Sequence, residues 1–207
     1  MVKDSSVPEV VILRLPLYIR ALSQMSEEGQ NVISSKTLGN RLQITPAQIR
    51  KDLSYFGRFG KQGRGYKVDS LIEELTNILG LNRQWNSCIV GVGRLGKAII
   101  NYPGFVPEGF KIISAFDNDP SMIGKTVNEI QILPMDKIKS AVKQNDIKIA
   151  ILAVPATVAQ NVITELLNTN IKAILNYAPI APKVPDTLVL RNIDPVLSLQ
   201  SMTYYLD

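Results

Sequence analysis

The stretch CIVGVGRLGKAI, Cys88 to Ile99, constrains this chain most strongly, because it predicts a buried strand that runs through a glycine-rich turn into a helix. In such a turn Gly91 permits the sharp bend, Gly93 lets the backbone approach a phosphate, and Gly96 allows close packing of the helix on the strand. The free N–H groups and the positive dipole end of that helix point towards the phosphates. The spacing therefore favours a site for a dinucleotide pyrophosphate.

A second strand supports this interpretation. The sequence KIISAFD ends at Asp117, 24 residues after Gly93, where a carboxylate accepts hydrogen bonds from both hydroxyls of a ribose. The same charge repels the additional phosphate of NADP, so we expect NAD or NADH as the ligand. As an alternative, Asp117 begins the sequence DNDP, which is also typical of a tight turn that binds nothing.

From Cys88 onwards, apolar strands alternate with helices, which predicts an α/β fold with a doubly wound, Rossmann-like parallel sheet. We expect strands at 88–92, 111–116, 148–154 and 172–175, and helices near 95–102, 134–144, 157–168 and 194–206. The carboxyl ends of these strands meet at one edge, where open sheets bind their ligands. The predicted cofactor-binding residues there are Gly91, Val92, Gly93, Arg94, Leu95, Gly96, Asp117, Val154, Pro155, Asn176, Ala178 and Pro179.

The first third of the chain carries its net charge. Residues 1–66 hold ten Lys and Arg against five Asp and Glu, whereas residues 67–207 hold thirteen of each. Between Lys36 and Tyr66 there are seven cations and one anion, Asp52. Such asymmetry indicates a polyanionic partner for this segment alone.

Local signals in the same third predict a helix-turn-helix. Apolar residues recur at near-helical spacing from 8 to 28, although Pro16 predicts two abutting helical pieces. Ser34 or Ser35 caps a short second helix. In ITPAQIRKDLSYFG, Thr45 is the N-cap, Pro46 occupies the first helical position and Gln48 completes a capping box, while Gly57 ends the helix.

The glycine-rich, basic segment RFGKQGRGYKV that follows predicts a hairpin or wing. The second helix of such a motif enters the major groove of DNA, and a wing follows phosphates or the minor groove. The alternative is a solvated basic helical face.

After the wing, Asp69 is expected to cap a helix that Gly80 ends, and LNRQWN forms the seam between domains. The predicted DNA-binding residues are Ser35, Lys36, Gln48, Arg50, Lys51, Ser54, Tyr55, Arg58, Lys61 and Arg64.

What the sequence lacks narrows the function further. It contains no histidine, the commonest general acid or base for hydride transfer to a carbonyl. Lys97, Tyr102 or Tyr177 would be substitutes, but nothing in their spacing singles them out. Cys88 is the single cysteine, so no disulfide forms within the chain, and we see neither an export signal nor a membrane span. We expect a cytoplasmic protein without a metal or catalytic site.

Seven stretches together carry a family resemblance: RLPLYIR, QIRKDLSYFGRFGKQGRGY, ILGLNRQW, CIVGVGRLGKAIINYPGF, FDNDP, AVPA and ILNYAP. Over essentially its whole length the chain resembles the Rex family of redox-sensing transcriptional repressors. The resemblance implies a homodimer with winged-helix N-terminal and Rossmann C-terminal domains, in which the C-terminal helix is exchanged between subunits. It also implies that NADH releases the protein from an inverted-repeat operator, that NAD competes and favours the DNA-bound form, and that no reaction is catalysed.

By position, three residues match those that the family uses in its switch: Arg20 in LYIR, Tyr102 in NYPGF and Asp194 in NIDP. The resemblance implies that the carboxylate changes partner between the arginine and the tyrosine near the nicotinamide. Arg20 as a plain surface cation and Asp194 as a plain helix cap are the alternatives. Because the sequence ends YYLD directly after the last helix, we expect fewer interdomain contacts.

The expected domains are therefore a winged-helix domain at 1–80, a Rossmann domain at 81–190 and an exchanged helix at 191–207. A repressor that responds to NADH and NAD is the first hypothesis. A small NAD-dependent oxidoreductase is the second, and a nucleotide- or coenzyme A-binding module of another kind is the third.

Overall fold

The computed structural model describes residues 7–60 and 65–206. The chain divides into two compact units, Met1–Arg83 and Gln84–Asp207. Each unit has its own buried core, so we describe them separately.

The first unit contains a helix-turn-helix and a small sheet. The small sheet has two short antiparallel strands. One follows the glycine-rich segment, and its partner precedes the helix-turn-helix. The sequence pattern did not predict that partner strand, because it is two residues long. The elements are α1 (Glu9–Glu27), β1 (Val32–Ile33), α2 (Ser35–Leu42), α3 (Pro46–Ser54), β2 (Tyr66–Lys67) and α4 (Val68–Leu79).

Helix α1 runs without interruption through Pro16, so the expectation of two helical pieces was wrong. A proline inside a helix removes one backbone hydrogen bond. Here the buried face continues across it, with Leu15 and Leu22 fully buried on either side. Side chains of Arg14 and Tyr18, one before and one after the proline, also bind the same carboxylate of Asp52. These tertiary contacts outweigh the free-energy cost of the backbone hydrogen bond that Pro16 removes.

The helix ends confirm most of the predicted caps. The hydroxyl of Ser34 accepts the Thr37 N–H at 3.0 Å, and the hydroxyl of Thr45 accepts the Gln48 N–H at 3.2 Å. Gly80 ends α4 with a φ of 72°. Two expectations were wrong: α3 ends at Ser54, three residues before Gly57, and Asp69 lies inside the first turn of α4 rather than at its N-cap. Asp69 instead accepts a hydrogen bond from Ser26 at 2.9 Å, since packing against α1 decides its role.

The second unit is built on a seven-stranded sheet in the order β5-β6-β4-β3-β7-β8-β9. All neighbouring pairs are parallel except β5 and β6. Strands β5, β6 and β9 were missing from the sequence prediction. The strands are β3 (Trp85–Val90), β4 (Phe110–Asp117), β5 (Thr126–Val127), β6 (Ile130–Pro134), β7 (Ile149–Leu152), β8 (Ala173–Asn176) and β9 (Val189–Asn192).

Helices cover both faces of this sheet, as the doubly wound prediction requires. Successive residues of β3 point to opposite faces: Cys88 and Val90 pack under α6 and α7, and Ile89 packs under α5. The helix expected at 134–144 is a 3₁₀ turn (Met135–Lys137) followed by an α-helix, because Pro134 still belongs to β6. The helices are α5 (Arg94–Ile100), α6 (Ile138–Gln144), α7 (Ala156–Leu167) and α8 (Pro195–Thr203).

Helix α8 has no buried side chain among its residues. Its apolar positions face outward, with Leu197 62% and Leu199 61% exposed, and Tyr204 beyond the helix is 84% exposed. A helix this apolar and this exposed needs a further surface to cover it.

One carboxylate organises the first unit. Asp52 is fully buried in α3 and accepts four hydrogen bonds: two from the Arg14 guanidinium at 2.6 and 2.7 Å, one from the Tyr18 hydroxyl at 2.6 Å and one from the Gln48 amide at 2.6 Å. Burial disfavours the charged form, but these hydrogen bonds and the Arg14 charge together hold the pKa of Asp52 below its ordinary value. Burial and the bond to Asp52 raise the pKa of Tyr18. The network fastens α3 to α1.

We predict that Asp52→Asn destabilises the first unit by about 3 kcal/mol, because Arg14 loses its partner in a part-buried site. The lowered pKa also predicts the pH dependence. Stabilisation by Asp52 is complete above about pH 4, the ordinary carboxyl pKa, and is lost as the pH falls through the folded value. Hydrogen–deuterium exchange of α1 and α3 in the full-length protein measures both effects.

Glu28→Gln is the matched control, because it breaks the exposed Arg41–Glu28 pair in the same unit. We expect this variant to lose less than about 1 kcal/mol. Equal losses in the two variants would contradict the assignment of Asp52.

Candidate functional site

The turn after β3 has the backbone geometry that its glycines predict. Gly91 has a φ of 90°, and a Cβ atom there would lie 2.5 Å from the carbonyl oxygen of Ala153, which directly follows the neighbouring strand β7. Gly96, in the first turns of α5, has no room for a side chain because the carbonyl of Gly91 faces it. Both glycines are therefore required by the packing of the protein itself.

Gly93 differs from its two neighbours. Its φ of −70° is open to any residue, and a Cβ atom built on it would meet no heavy atom within 4 Å. No contact with the described residues requires glycine there. The space above Gly93 is what a ligand phosphate needs in order to approach the backbone, so this position fits the predicted pyrophosphate site.

Asp117 at the end of β4 is tied to this turn. One carboxylate oxygen accepts the Val92 N–H at 2.7 Å, and the other accepts the Asp119 N–H at 2.9 Å. Each oxygen can accept a second hydrogen bond, so the side chain can still receive ribose hydroxyls. Asp117 thus holds the glycine turn and lines the adjoining cleft at the same time.

These residues surround a cleft of 610 Å³ at the carboxyl edge of the sheet, beside the point where strand order reverses between β3 and β7. A volume of this size is typical of small-molecule and cofactor sites. Two cations, Arg94 and Lys97, lie on the α5 side, as suits a pyrophosphate. The predicted residues that line the cleft are Gly91, Val92, Gly93, Arg94, Asp117, Val154 and Pro155.

The other predicted cofactor residues do not line this cleft. Leu95 lies on α5 and is 46% exposed, and Gly96 is buried on the side of α5 that faces Gly91 and Ile89. Asn176 is fully buried: its amide donates to the Ala178 carbonyl at 2.9 Å and to Asn192 at 2.8 Å, and accepts the Ala178 N–H at 3.0 Å. Its side chain shapes the turn that leads to Pro179. Ala178 is buried in the core, whereas Pro179 is exposed.

Sequence reasoning missed several apolar walls of the cleft. Val158 and Val162 lie one turn apart on α7, and Met122 and Met135 approach from the β4 side. Of these residues, only Val158 could have been predicted from the sequence, because it follows the predicted strand end at Val154–Pro155 by one helical turn. Met122 lies in the turn after β4, and Met135 begins the 3₁₀ turn after β6, so neither belongs to a long periodic run of the sequence.

In the first unit, α2 and α3 form the predicted helix-turn-helix. Gly39 lies against the backbone of Ile44, which leaves no room for a side chain, and the Ile44 N–H donates to the Gly39 carbonyl at 3.0 Å. Gln43 takes a left-handed conformation with a φ of 55° between the two helices. These contacts make the turn tight, as a helix that enters a DNA groove requires.

Most of the predicted DNA-binding residues are exposed, and four of the exposed ones are cations. Arg50 donates to the Ser35 hydroxyl at 3.0 Å, which joins α3 to the start of α2. Gln48 is half-buried and its amide points to Asp52 rather than outward. Lys61 and Arg64 lie outside the described residues. The exposed members are Lys36, Arg50, Lys51, Ser54, Tyr55 and Arg58.

The three predicted switch residues are divided between the two units. Arg20 is exposed on α1, in the first unit. In the second unit Tyr102 is 58% exposed and packs edge-on against Phe105 at 5.1 Å, and Asp194 caps α8 by accepting the Val196 N–H at 2.9 Å. Among the described hydrogen bonds, none joins Tyr102 to Asp194.

Two further observations concern ligands and membranes. In residues 7–60 and 65–206, His, Cys, Asp and Glu side chains form no group of three that would hold a metal ion. No helix within the same ranges has the length and apolar character to cross a bilayer.

Comparison with family models matches both units. A model described as "Putative DNA-binding protein N-terminus" matches residues 6–54, and one described as "CoA binding domain" matches residues 82–180. The first covers the helix-turn-helix, and the second covers the glycine turn and the carboxyl edge of the sheet.

Relatives match over the full length. The redox-sensing transcriptional repressor Rex of Chloroflexus aggregans is 49% identical over 206 residues, covering 100% of this chain and 97% of that protein. Its counterpart in Carboxydothermus hydrogenoformans is 43% identical over 202 residues, covering 98% and 97% respectively.

Solved structures agree with this match. RSP in complex with β-NAD⁺ and operator DNA has a TM-score of 0.92 at 38% identity, covering 98% of this chain and 94% of that one. RSP in complex with β-NADH has a TM-score of 0.88 at 36% identity, covering 98% and 95%. From the full-length identity, the two family models and the shared fold, the chain belongs to the Rex family of redox-sensing transcriptional repressors.

Proposed function

We propose that this protein is a homodimeric transcriptional repressor that senses the ratio of NADH to NAD⁺, binds an inverted-repeat DNA operator and is released by NADH. The observation that carries the proposal is the match, over 98% of the chain, to a protein solved with both β-NAD⁺ and operator DNA. A repressor of this kind acts where the chromosome is, in the bacterial cytoplasm.

The exposed basic surface of the first unit supports the DNA half. Arg50 and Lys51 project from α3, whose N-terminal turns enter the major groove in a helix-turn-helix. Lys36 and Arg58 extend the surface to the start of α2 and the wing, and Lys61 and Arg64 continue it in sequence. Cations bind the phosphates and give affinity that falls with salt, and Arg50 or Lys51 can also read base edges.

The cleft of the second unit supports the nucleotide half. The space above Gly93 takes the pyrophosphate, Arg94 and Lys97 balance its charge, and Asp117 accepts the ribose hydroxyls. Val154 and Pro155 form the wall on the β7 side. The bound nucleotide supplies a nicotinamide ring whose charge differs between its oxidised and reduced forms.

The redox signal does not come from a thiol in this proposal. Burial raises the pKa of the single cysteine, Cys88, to about 12. A buried neutral thiol is inert towards oxidants, because the thiolate is the reactive form. The nucleotide therefore provides the signal.

Release requires NADH to favour the arrangement that does not bind DNA. A difference of about 3 kcal/mol changes operator affinity by about two orders of magnitude. We propose that Arg20, Tyr102 and Asp194 supply contacts that differ between the two arrangements. The exposed apolar face of α8 is covered by exchange with a second subunit, which joins the two chains.

We also propose that the protein catalyses no reaction on its nucleotide. The chain has no histidine. Of the three residues that could replace it as a general acid or base, Lys97 lines the cleft and the two tyrosines do not. Tyr102 lines a separate groove beyond the far end of α5, and Tyr177 packs in the core.

Lys51→Ala and Arg50→Ala should each weaken operator binding by at least about tenfold and lower the salt dependence by about one counterion, because each removes a phosphate or base contact. NADH affinity should stay unchanged. Fluorescence anisotropy with a labelled inverted-repeat duplex, at several salt concentrations, measures both quantities.

Lys139→Ala removes an exposed cation of the second unit and controls for net charge alone. Operator binding of this variant should match that of the wild type. Normal binding by both α3 variants would show that this helix does not contact DNA.

NADH titrated into the operator complex should release the wild-type protein, whereas NAD⁺ should not. Gly93→Leu should remain bound in NADH, because its side chain fills the space for the pyrophosphate while meeting no protein atom within 4 Å at Cβ. Anisotropy follows release, and circular dichroism checks that the variant is folded.

Two controls belong to this titration. Coenzyme A should not release the complex, and Asp117→Ala should weaken NADH binding specifically. Release that proceeds equally with NADH and NAD⁺ would refute redox sensing by this protein.

Incubation of the protein with NADH and a panel of small aldehydes, ketones and 2-oxo acids should give no consumption of NADH at 340 nm beyond that of a protein-free control. The same preparation must bind NADH by calorimetry, so that an inactive sample is recognised. Turnover with any of these substrates would favour the oxidoreductase hypothesis instead.

A further inference from the structure

The connection between β8 and β9 is unusual for a doubly wound sheet, because residues 177–188 form a loop without a helix. Three prolines stiffen it, at positions 179, 182 and 185. The loop begins at the carboxyl end of β8, in the half of the sheet that lies across the reversal point from β4 and Asp117. Dinucleotides bind across that point, one nucleotide to each half.

A side chain of α7 fastens the middle of this loop. The Gln160 amide donates to the Lys183 carbonyl at 3.1 Å, and its oxygen accepts the Lys183 N–H at 2.9 Å. Paired bonds to one backbone unit fix both the distance and the orientation of the amide. Gln160 therefore links α7 to a point 23 residues away in sequence.

Apolar contacts hold the rest of the loop. Ala178 and Leu188, at its two ends, are buried, and Ile180 and Val184 pack against the same core cluster as α7. Val158 and Val162 of α7 line the nucleotide cleft. One helix thus forms a wall of the cleft and also holds the loop at the neighbouring strand end.

We propose that Gln160 is a positioning residue for the nicotinamide half of the ligand. Gln160 holds residues 177–188 in place at the carboxyl end of β8. It thereby raises the affinity for NADH more than the affinity for the same nucleotide without its nicotinamide. A preformed loop costs less to order on binding than a mobile one. This inference rests on the proposed function, since it takes NADH as the ligand of the cleft.

The test compares NADH with ADP-ribose, which keeps the adenosine, the pyrophosphate and the second ribose but lacks the nicotinamide. Calorimetry with the full chain gives both affinities for the wild type, for Gln160→Ala and for the matched control Asn161→Ala, an exposed neighbour on α7. For Gln160→Ala we expect NADH affinity to fall about tenfold, equivalent to about 1.4 kcal/mol, because the loop must then be ordered when NADH binds. ADP-ribose affinity should change by less than about twofold, and Asn161→Ala should match the wild type.

Gln160→Glu provides a second check, because the carboxylate still accepts the Lys183 N–H but cannot donate to the Lys183 carbonyl. The NADH affinity of this variant should lie between that of the wild type and that of Gln160→Ala. Unchanged NADH affinity in Gln160→Ala would overturn the proposal, and so would an equal fall for both ligands, which would indicate general disorder. A wild-type protein that binds neither ligand would instead refute the proposed function, and with it this inference.

Discussion

The carbonyl oxygen of Ala153 lies so close to Gly91 that no side chain fits there, and the shape of the proposed nucleotide cleft depends on this close approach of the two backbones. Strand β3 lies at the centre of the sheet with hydrogen-bonded neighbours on both sides, so its last residues cannot move away from β7. The chain must turn there with a φ of 90°. The turn presents the Val92 N–H to Asp117 and leaves Gly93 facing the cleft. Close backbone packing thus creates the site before any ligand contributes.

The first unit is organised by charge instead. A buried carboxylate is stable only with partners, and Asp52 receives its partners from both α1 and its own helix. The compensating cation comes from Arg14 on α1, which leaves Arg50 and Lys51 of α3 at the surface. Helix α3 is therefore anchored on one side while the other side stays basic, which is what a DNA-binding helix requires.

Local signals predicted the elements that local chemistry controls. Ser34 and Thr45 cap the starts of α2 and α3, and Gly80 ends α4, as expected, because caps involve only neighbouring residues. Prediction failed where distant contacts decide: α1 continues through Pro16 because its buried face and Asp52 hold both sides of the proline. Strands β5, β6 and β9 were missed because they lie towards the two edges of the sheet and depend on pairing with β6, β4 and β8, which the residue pattern within each strand does not record.

The sequence by itself determined the glycine turn, the acidic residue at the end of the next strand, the basic first third and the family. Each of these is a matter of residue type and spacing along the chain. Only the tertiary structure decided which residues face the cleft. In the folded protein Asn176 is buried and bonds to the turn that follows β8, Val158 and Met122 line the walls of the cleft, and Gln160 is joined to Lys183. The physical reason is that facing and burial arise from contacts between segments far apart in sequence, and no local pattern records those contacts.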